Sequence, residues 1–202
     1  MVEEGSAVRK RRSHEAIEQV AARLIRREGL RGASVRKVMG EAGLTIGGFY
    51  GHFPSKEELI RDAFTTALAE RRQKISRSIE GLRGDAYVDG FLRGYLSPDH
   101  RDSPETGCPF AALASELPRE GEAVRSRVSE EFEATVTSFA AHLDEGTPAR
   151  SRQKAIAVIA LAVGALAMAR SLAGFEGSDE ILAAATAAAK WFAGSKTKES
   201  TP

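Results

Sequence analysis

The sequence predicts an all-α protein, and three observations support this class. Apolar residues recur at spacings of three and four along most of the chain, which is typical of amphipathic helices. Ser, Thr, Gly and Pro residues separate these segments at positions where helices begin and end. We find no convincing pair of strands and no internal repeat. We therefore expect about nine helices.

The first predicted helix runs from about Ser13 to Glu28, with an apolar face that begins at Ile17. Gly29 follows and is expected to end it. Residues 1–12, which end in the basic run 9–12, are predicted to be a mobile arm. This arm is either a solvated tail or a segment that follows phosphates or enters a minor groove.

Two short helices are predicted next, joined by a tight turn. Ser34 can cap the first helix, and Gly43 supplies the permissive backbone that ends it. Thr45 is expected to cap the second helix, which runs from Ile46 to about Gly51. This arrangement is a helix-turn-helix, whose second helix can lie in the major groove of DNA.

The second of these helices has an unusual composition. Gly47 and Gly48 each cost about 1 kcal/mol relative to Ala in a helix interior, which suggests that a partner must approach the backbone closely. Phe49 and Phe53 are predicted to anchor the helix in the core. Ser55-x-x-Glu58 then forms a capping box that opens a long fourth helix, which fades near residue 81.

This part of the sequence, over roughly residues 14–62, resembles the DNA-binding domain of the TetR family of bacterial transcriptional repressors. The resemblance lies in Gly29, Ala33, Ser34-Val35-Arg36, Ala42-Gly43-Leu44, Gly47, Phe49-Tyr50, His52-Phe53 and Ser55-Lys56-Glu57-Glu58-Leu59. It implies a DNA-binding regulator with a helical C-terminal domain for effector binding and dimerisation. We expect the DNA contacts to come from Ser34, Arg36, Thr45, Ile46, Gly47, Gly48, Tyr50, His52 and Lys56.

The charge distribution agrees with this interpretation. Residues 1–61 contain 12 Lys and Arg against 8 Asp and Glu, whereas the remaining residues contain 17 against 20. The positive charge therefore lies where phosphate binding requires it. The single cysteine excludes an intrachain disulfide, and no N-terminal apolar signal is apparent, so we expect a cytoplasmic protein. The apolar run 155–169 is shorter than a membrane span and is predicted to be a buried helix.

The second half of the chain is predicted to contain five more helices. They are a fifth from 85 to about 96, a short sixth at 109–117 after a polar loop at 98–107, a seventh at 120–143, and the last two at 149–173 and 178–194. The eighth helix carries two apolar faces, which implies packing against both its own core and a second copy. We therefore expect helices eight and nine to form a homodimer interface. The predicted domains are 13–60 for DNA binding and 61–196 for effector binding and dimerisation, with a tail at 197–202.

Aromatic residues recur on the fifth to seventh predicted helices. In TetR-like proteins the effector cavity lies among the corresponding helices, so the resemblance implies a site for an unknown small molecule. The candidate residues are Tyr87, Phe91, Tyr95, Cys108, Phe110, Phe132 and Phe139, each of which could instead be ordinary core.

Other functions find less support in the sequence. No catalytic constellation is apparent, no cofactor is expected, and none of the four histidines has a spacing that we interpret as a metal site. An effector-independent DNA-binding protein would share the helix-turn-helix without needing the second domain. Cys108, at a Gly-Cys junction found in a subset of TetR-like regulators, could sense oxidants or electrophiles, or could be a small buried apolar residue.

Overall fold

The structure is a computed structural model that describes the backbone of residues 2–194 and the side chains of residues 7–191. Within this range the chain forms helices and no strands. The α-helices are α1 (Val2–Gly32), α2 (Val35–Glu41), α3 (Lys56–Ile79), α4 (Gly84–Tyr95), α5 (Pro98–Asp102), α6 (Pro109–Leu113), α7 (Glu122–Ala140), α8 (Pro148–Ser171) and α9 (Gly177–Gly194). Short 3-10 helices lie at Ile46–Gly51, Pro104–Thr106 and Leu117–Arg119. The predicted all-α class is confirmed, while the predicted tail at 197–202 lies outside the described residues.

The beginning of α1 differs from the prediction. We expected a mobile arm over 1–12, but residues 2–12 continue α1 as helix. Arg, Lys and Glu are good helix formers, and Arg11 pairs with Glu15 at 3.6 Å in the i, i+4 geometry. Gly29 does interrupt the helix as predicted, with φ 75° and ψ 177°, although helical structure continues to Gly32.

The predicted loop at 98–107 is also partly helical. Pro98 occupies the first position of α5, where the missing N–H costs nothing. The Ser97 hydroxyl accepts a hydrogen bond from the His100 backbone N–H at 3.2 Å and so caps this short helix. The predicted sixth helix at 109–117 is shorter than expected, because α6 ends at Leu113 and a 3-10 turn follows at Leu117–Arg119.

Cα packing divides the chain into two compact units. Unit 1 contains the residues up to Gln73 together with Ser103–Phe132, and unit 2 contains Lys74–Asp102 together with the residues from Glu133 onward. This division differs from the predicted boundary at residue 60. The reason is that α3 and the segment 103–132 contribute Phe64, Leu113 and Val124 to the same core as α1.

Unit 2 is built around α4, α8 and α9. Eight side chains of α8 are buried, among them Val158, Ile159 and Leu166, and Thr147 caps its start by accepting from the Arg150 N–H at 3.3 Å. By length and composition, α8 is the one helix within residues 2–194 that could cross a membrane. Its packing against α9 and α4 is that of a core helix, as predicted.

Candidate nucleic-acid interface

The first half of the candidate interface is α2, and residues close to it in sequence cap its start and anchor it in the core. Ser34 has an extended backbone, and its hydroxyl accepts a hydrogen bond from the Lys37 N–H at 3.3 Å. This confirms the predicted cap. Val38 and Met39 are completely buried, so these two side chains hold α2 against the core.

A tight turn follows α2. Gly43 adopts φ 71°, a backbone conformation that glycine reaches without steric cost. The Leu44 N–H then donates to the Met39 carbonyl at 2.9 Å, which fixes the direction in which the chain leaves the turn.

The second half of the interface is the predicted short helix, Ile46–Gly51, which has 3-10 geometry. The Gly48 N–H donates to the Thr45 carbonyl at 3.0 Å, which is the three-residue spacing of that helix. Thr45 occupies the cap position, but its side chain makes no cap hydrogen bond, contrary to expectation. Phe49 and Phe53 are both 1% exposed, and their rings lie 5.9 Å apart, so they anchor this element as predicted.

Most of the residues predicted to contact DNA lie on the surface of unit 1. Tyr50 is 78% exposed and Ile46 is 48% exposed. The other exposed members of the set are Ser34, Arg36, Thr45, Gly47, Gly48 and Lys56. This set, with half-buried His52, is called the reading surface below.

The glycines of the reading surface are not required by the fold. A Cβ built on Gly47 would have no atom within 4 Å. A Cβ on Gly48 would meet only Thr45 and Met39, at 3.7 and 3.8 Å, which is ordinary van der Waals contact. Neither glycine has a positive φ. Neither internal packing nor backbone conformation therefore requires glycine at these two positions. A partner that approaches the backbone from outside would require it.

His52 lies at the edge of this surface. Its Nδ1 is buried and has no hydrogen-bond partner among the described residues. Burial lowers the pKa of His52, and the charges of His14 and Lys10 act in the same direction. The imidazole is therefore suited to hydrogen bonding rather than to carrying a charge at neutral pH.

The cations around the reading surface differ in their availability. Lys56 donates its ammonium group to the Leu30 carbonyl at 3.1 Å, an intramolecular role that the sequence did not predict. Lys37 pairs with Glu28. In contrast, Arg36 is exposed and makes no ion pair with the described residues.

The N-terminal part of α1 adds positive charge beside the turn. Arg9 and Arg12 line a groove of about 360 Å³ together with Ala42 and Leu44. Lys10 and Arg11 are exposed as well. The basic run predicted as an arm is therefore a helical extension next to the helix-turn-helix.

Two connections within unit 1 were not predicted, and each joins distant parts of the chain. Arg26, whose side chain is 1% exposed, pairs with Glu70 at 2.6 Å and donates to the carbonyls of Ala67 and Gly107. Glu116 accepts a hydrogen bond from the Leu30 N–H at 3.0 Å. Both connect segments that are far apart in sequence, so no local pattern could have identified them.

A third cluster was missed although half of it is visible in the sequence. His14 and Glu18 lie four residues apart on α1, with Nε2 and Oε1 separated by 3.1 Å. Asp62 of α3 completes the group, and one ligand atom from each of the three residues lies within 4.8 Å of the others. The i, i+4 spacing of His14 and Glu18 was the available signal.

The residues predicted to line an effector pocket fall into two groups. Unit 2 contains a cluster of aromatic rings. The ring centroids of Tyr87 and Phe91 each lie 5.0 Å from that of Phe139, and the stacked rings of Phe91 and Tyr95 have centroids 5.1 Å apart. Unit 1 contains the other three residues, Cys108, Phe110 and Phe132. The ring centroids of Phe110 and Phe132 lie 6.1 Å apart. Cys108 is 3% exposed.

The two helices predicted to form a dimer interface pack against each other within unit 2. They also carry apolar side chains on the surface. Met168 on α8 is 60% exposed, Trp191 on α9 is 70% exposed, and Phe175 between the helices is 73% exposed. Exposed apolar side chains mark an interface where they form a contiguous patch, and these three lie on or between the two helices predicted to dimerise.

Comparison with known proteins adds an independent observation. A family model described as bacterial regulatory proteins, tetR family, matches residues 17–63. A second model, described as the C-terminal domain of LmrA/YxaF-like transcriptional regulators, matches residues 90–188. None of the curated proteins matches the chain.

The fold is similar to several solved structures. One is a TetR transcriptional regulator from Chloroflexus aurantiacus J-10-fl, with 24% identity over 91% of this chain and 95% of that chain, and a TM-score of 0.75. Another is a TetR-family regulator from Agrobacterium tumefaciens, with 23% identity over 91% and 98% of the two chains, and a TM-score of 0.73. A TetR regulator from Legionella pneumophila has 20% identity over 89% and 96%, with a TM-score of 0.73.

Proposed function

Because the chain belongs to the TetR family of bacterial transcription regulators, we propose that it is a one-component repressor. It binds a palindromic operator as a homodimer and releases the operator when a small molecule binds. Members of this family are DNA-binding proteins rather than enzymes. The observation that carries the proposal is the reading surface, in which Gly47 and Gly48 are exposed although the fold does not require glycine there.

The reading surface supports a particular mode of DNA binding. We expect the exposed side chains of Arg36, Thr45, Tyr50 and Lys56 to contact phosphates or base edges, and that of Ile46 to meet a thymine methyl group. Because Gly47 and Gly48 lack side chains, few groups on the 3-10 helix can contact base edges. Arg36 and the shape of the DNA therefore contribute a larger share of the specificity.

His52 and the basic N-terminal helix extend this surface. The neutral imidazole of His52 donates or accepts a hydrogen bond at a phosphate or base edge without forming an ion pair. Arg9, Lys10 and Arg12 follow the phosphate backbone beside the turn.

Dimerisation through α8 and α9 places two reading surfaces on one DNA molecule. The exposed Met168, Phe175 and Trp191 support this interface, since burial of large apolar side chains stabilises association. Two-fold symmetry matches a palindromic site whose half-sites lie about one DNA turn or slightly more apart. Sedimentation at micromolar concentration is expected to give a dimer, and a monomer would contradict this assembly.

The effector is expected to be an apolar small molecule that enters the aromatic cluster of Tyr87, Phe91, Tyr95 and Phe139. Pockets for such ligands are lined mainly by apolar and aromatic side chains. To change the DNA-competent population from 99% to 1%, the effector must favour the released state by about 5.5 kcal/mol. We expect the protein to act in the cytoplasm, where its DNA target lies.

The experiment that tests this function is selection of binding sites by the purified protein from random DNA duplexes. Repeated selection is expected to enrich a duplex with two inverted half-sites, which is called the enriched duplex below. Failure to enrich any sequence at physiological salt would contradict operator recognition. A compound library is then screened for release of the enriched duplex. If no compound releases it, the protein is an effector-independent DNA-binding protein.

A further inference from the structure

A cluster in unit 1 has the composition of a metal site and has no role in the proposed function. It consists of His14 and Glu18 on α1 and Asp62 on α3, and all three side chains are half-buried. Together they offer one imidazole nitrogen and two carboxylates, which is a ligand set used by zinc and related transition metals.

The positions of the ligand atoms are close to those that a bound ion needs. The Nε2 of His14 and the Oε1 of Glu18 are 3.1 Å apart, compared with about 3.4 Å between two ligands of a tetrahedral zinc ion. The Asp62 carboxylate lies within 4.8 Å of both other ligand atoms. The ligand atoms are at most 4.8 Å apart, so side-chain rotations can bring them to the roughly 3.4 Å spacing of a tetrahedral shell.

Neighbouring groups hold two of the ligands in place. Arg61 donates through Nε to Oδ1 of Asp62 at 2.9 Å, which orients the carboxylate. The His14 ring stacks on Phe53, with ring centroids 4.4 Å apart. Hydrogen bonds to a ligating carboxylate orient it for the metal, and the stacked Phe53 ring restricts rotation of the imidazole.

We propose that His14, Glu18 and Asp62 bind a divalent transition-metal ion, with zinc as the best match to the ligands. The two carboxylates balance the charge of the ion, and a water molecule completes a tetrahedral shell. The ion joins α1 to α3 and fixes the His14 ring against Phe53, which anchors the 3-10 helix of the reading surface. Metal binding does not depend on DNA binding, so the two proposals can fail separately.

The test is a calorimetric titration of the full-length, chelator-treated protein with zinc, with magnesium as the comparison ion. Wild type is expected to bind one zinc per chain and to show no comparable affinity for magnesium, because a neutral imidazole suits zinc better. Glu18→Gln and Asp62→Asn are expected to lower zinc affinity at least tenfold. Glu15→Gln is the matched control, because Glu15 lies on the same helix but pairs with Arg11 outside the cluster. It is expected to leave zinc affinity unchanged.

Thermal unfolding provides a second readout. Zinc is expected to raise the Tm of wild type and of Glu15→Gln, but not that of Glu18→Gln or Asp62→Asn, because an ion that binds only the folded state stabilises it. Melting of each variant without metal establishes that it folds. Absence of zinc binding by wild type, or equal zinc affinity in all four proteins, would overturn the proposal. In that case His14 and Glu18 are only an i, i+4 polar pair on a helix.

Discussion

Gly29→Ala should destabilise the protein for two separate reasons. The first is conformational. Gly29 has φ 75° and ψ 177°, a region that is almost restricted to glycine, and a side chain there costs about 1–3 kcal/mol. The second is steric, because a Cβ on Gly29 would lie 2.5 Å from Oε1 of Glu116.

The steric effect also removes a hydrogen bond. Glu116 must move away from the new methyl group, and its carboxylate then no longer accepts from the Leu30 N–H, now 3.0 Å away. Leaving such a partly buried donor without a partner costs about 1–3 kcal/mol. The two effects together predict a loss of about 2–6 kcal/mol in the free energy of unfolding, a large part of the 5–15 kcal/mol that is typical of proteins.

Urea unfolding of both proteins, followed by circular dichroism at one protein concentration, measures this loss. Gly43→Ala is the matched control, because Gly43 has φ 71° but no neighbour within 4 Å of an added Cβ. It should lose only the conformational part, about 1–2 kcal/mol. In Glu116→Ala protein, Gly29→Ala should likewise cost only its conformational part. A Gly29→Ala loss no larger than that of Gly43→Ala would refute the role assigned to Glu116.

Three further predictions concern single side chains. Because burial lowers the folded-state pKa of His52, its contribution to stability is complete above an unfolded pKa of about 6.5 and declines as the pH falls below that value. The free energy of unfolding should therefore change less between pH 7.5 and pH 5.5 (roughly one unit either side) in His52→Gln than in wild type. An equal change in both proteins would contradict this role of His52. Lys56→Ala should weaken binding of the enriched duplex and of a scrambled duplex equally and reduce the salt slope by about 0.9 per bound chain; unchanged affinity would remove Lys56 from the interface. Cys108 is buried and should only pack, so peroxide should act equally on DNA binding by wild type and Cys108→Ser; release that requires Cys108 would show that it is a sensor.

Local patterns predicted the elements that form the reading surface. Ser34 was identified as a cap because capping depends on residues three positions apart, and Phe49 and Phe53 were identified as anchors because their spacing places them on one face. The sequence also suggested that Gly47 and Gly48 face a partner, and the open space around them agrees with that interpretation. These features depend on few residues, all close in sequence.

The features that the sequence did not predict depend on distant or competing contacts. The hydrogen bond from Leu30 to Glu116 spans 86 positions, and the one from Arg26 to Gly107 spans 81. Thr45 makes no side-chain cap hydrogen bond, and the segment that follows is a 3-10 helix. Lys56 was predicted only as a DNA contact, yet its ammonium group also donates to the Leu30 carbonyl at 3.1 Å. These hydrogen-bond partners depend on how distant segments pack together, which cannot be deduced from a single sequence.

The most direct test of the DNA-binding surface is the affinity of Gly47→Ala and Gly40→Ala for the enriched duplex. Both glycines are exposed, and neither would bring an added Cβ within 4 Å of another atom, so each substitution should leave stability unchanged or raise it by up to about 1 kcal/mol. Gly40 lies on α2 outside the reading surface, and Gly40→Ala should bind DNA like wild type. Gly47→Ala should bind at least tenfold more weakly, a loss of about 1.4 kcal/mol, because its methyl group occupies the space that the DNA must enter. Wild-type affinity in the folded Gly47→Ala protein would contradict the account.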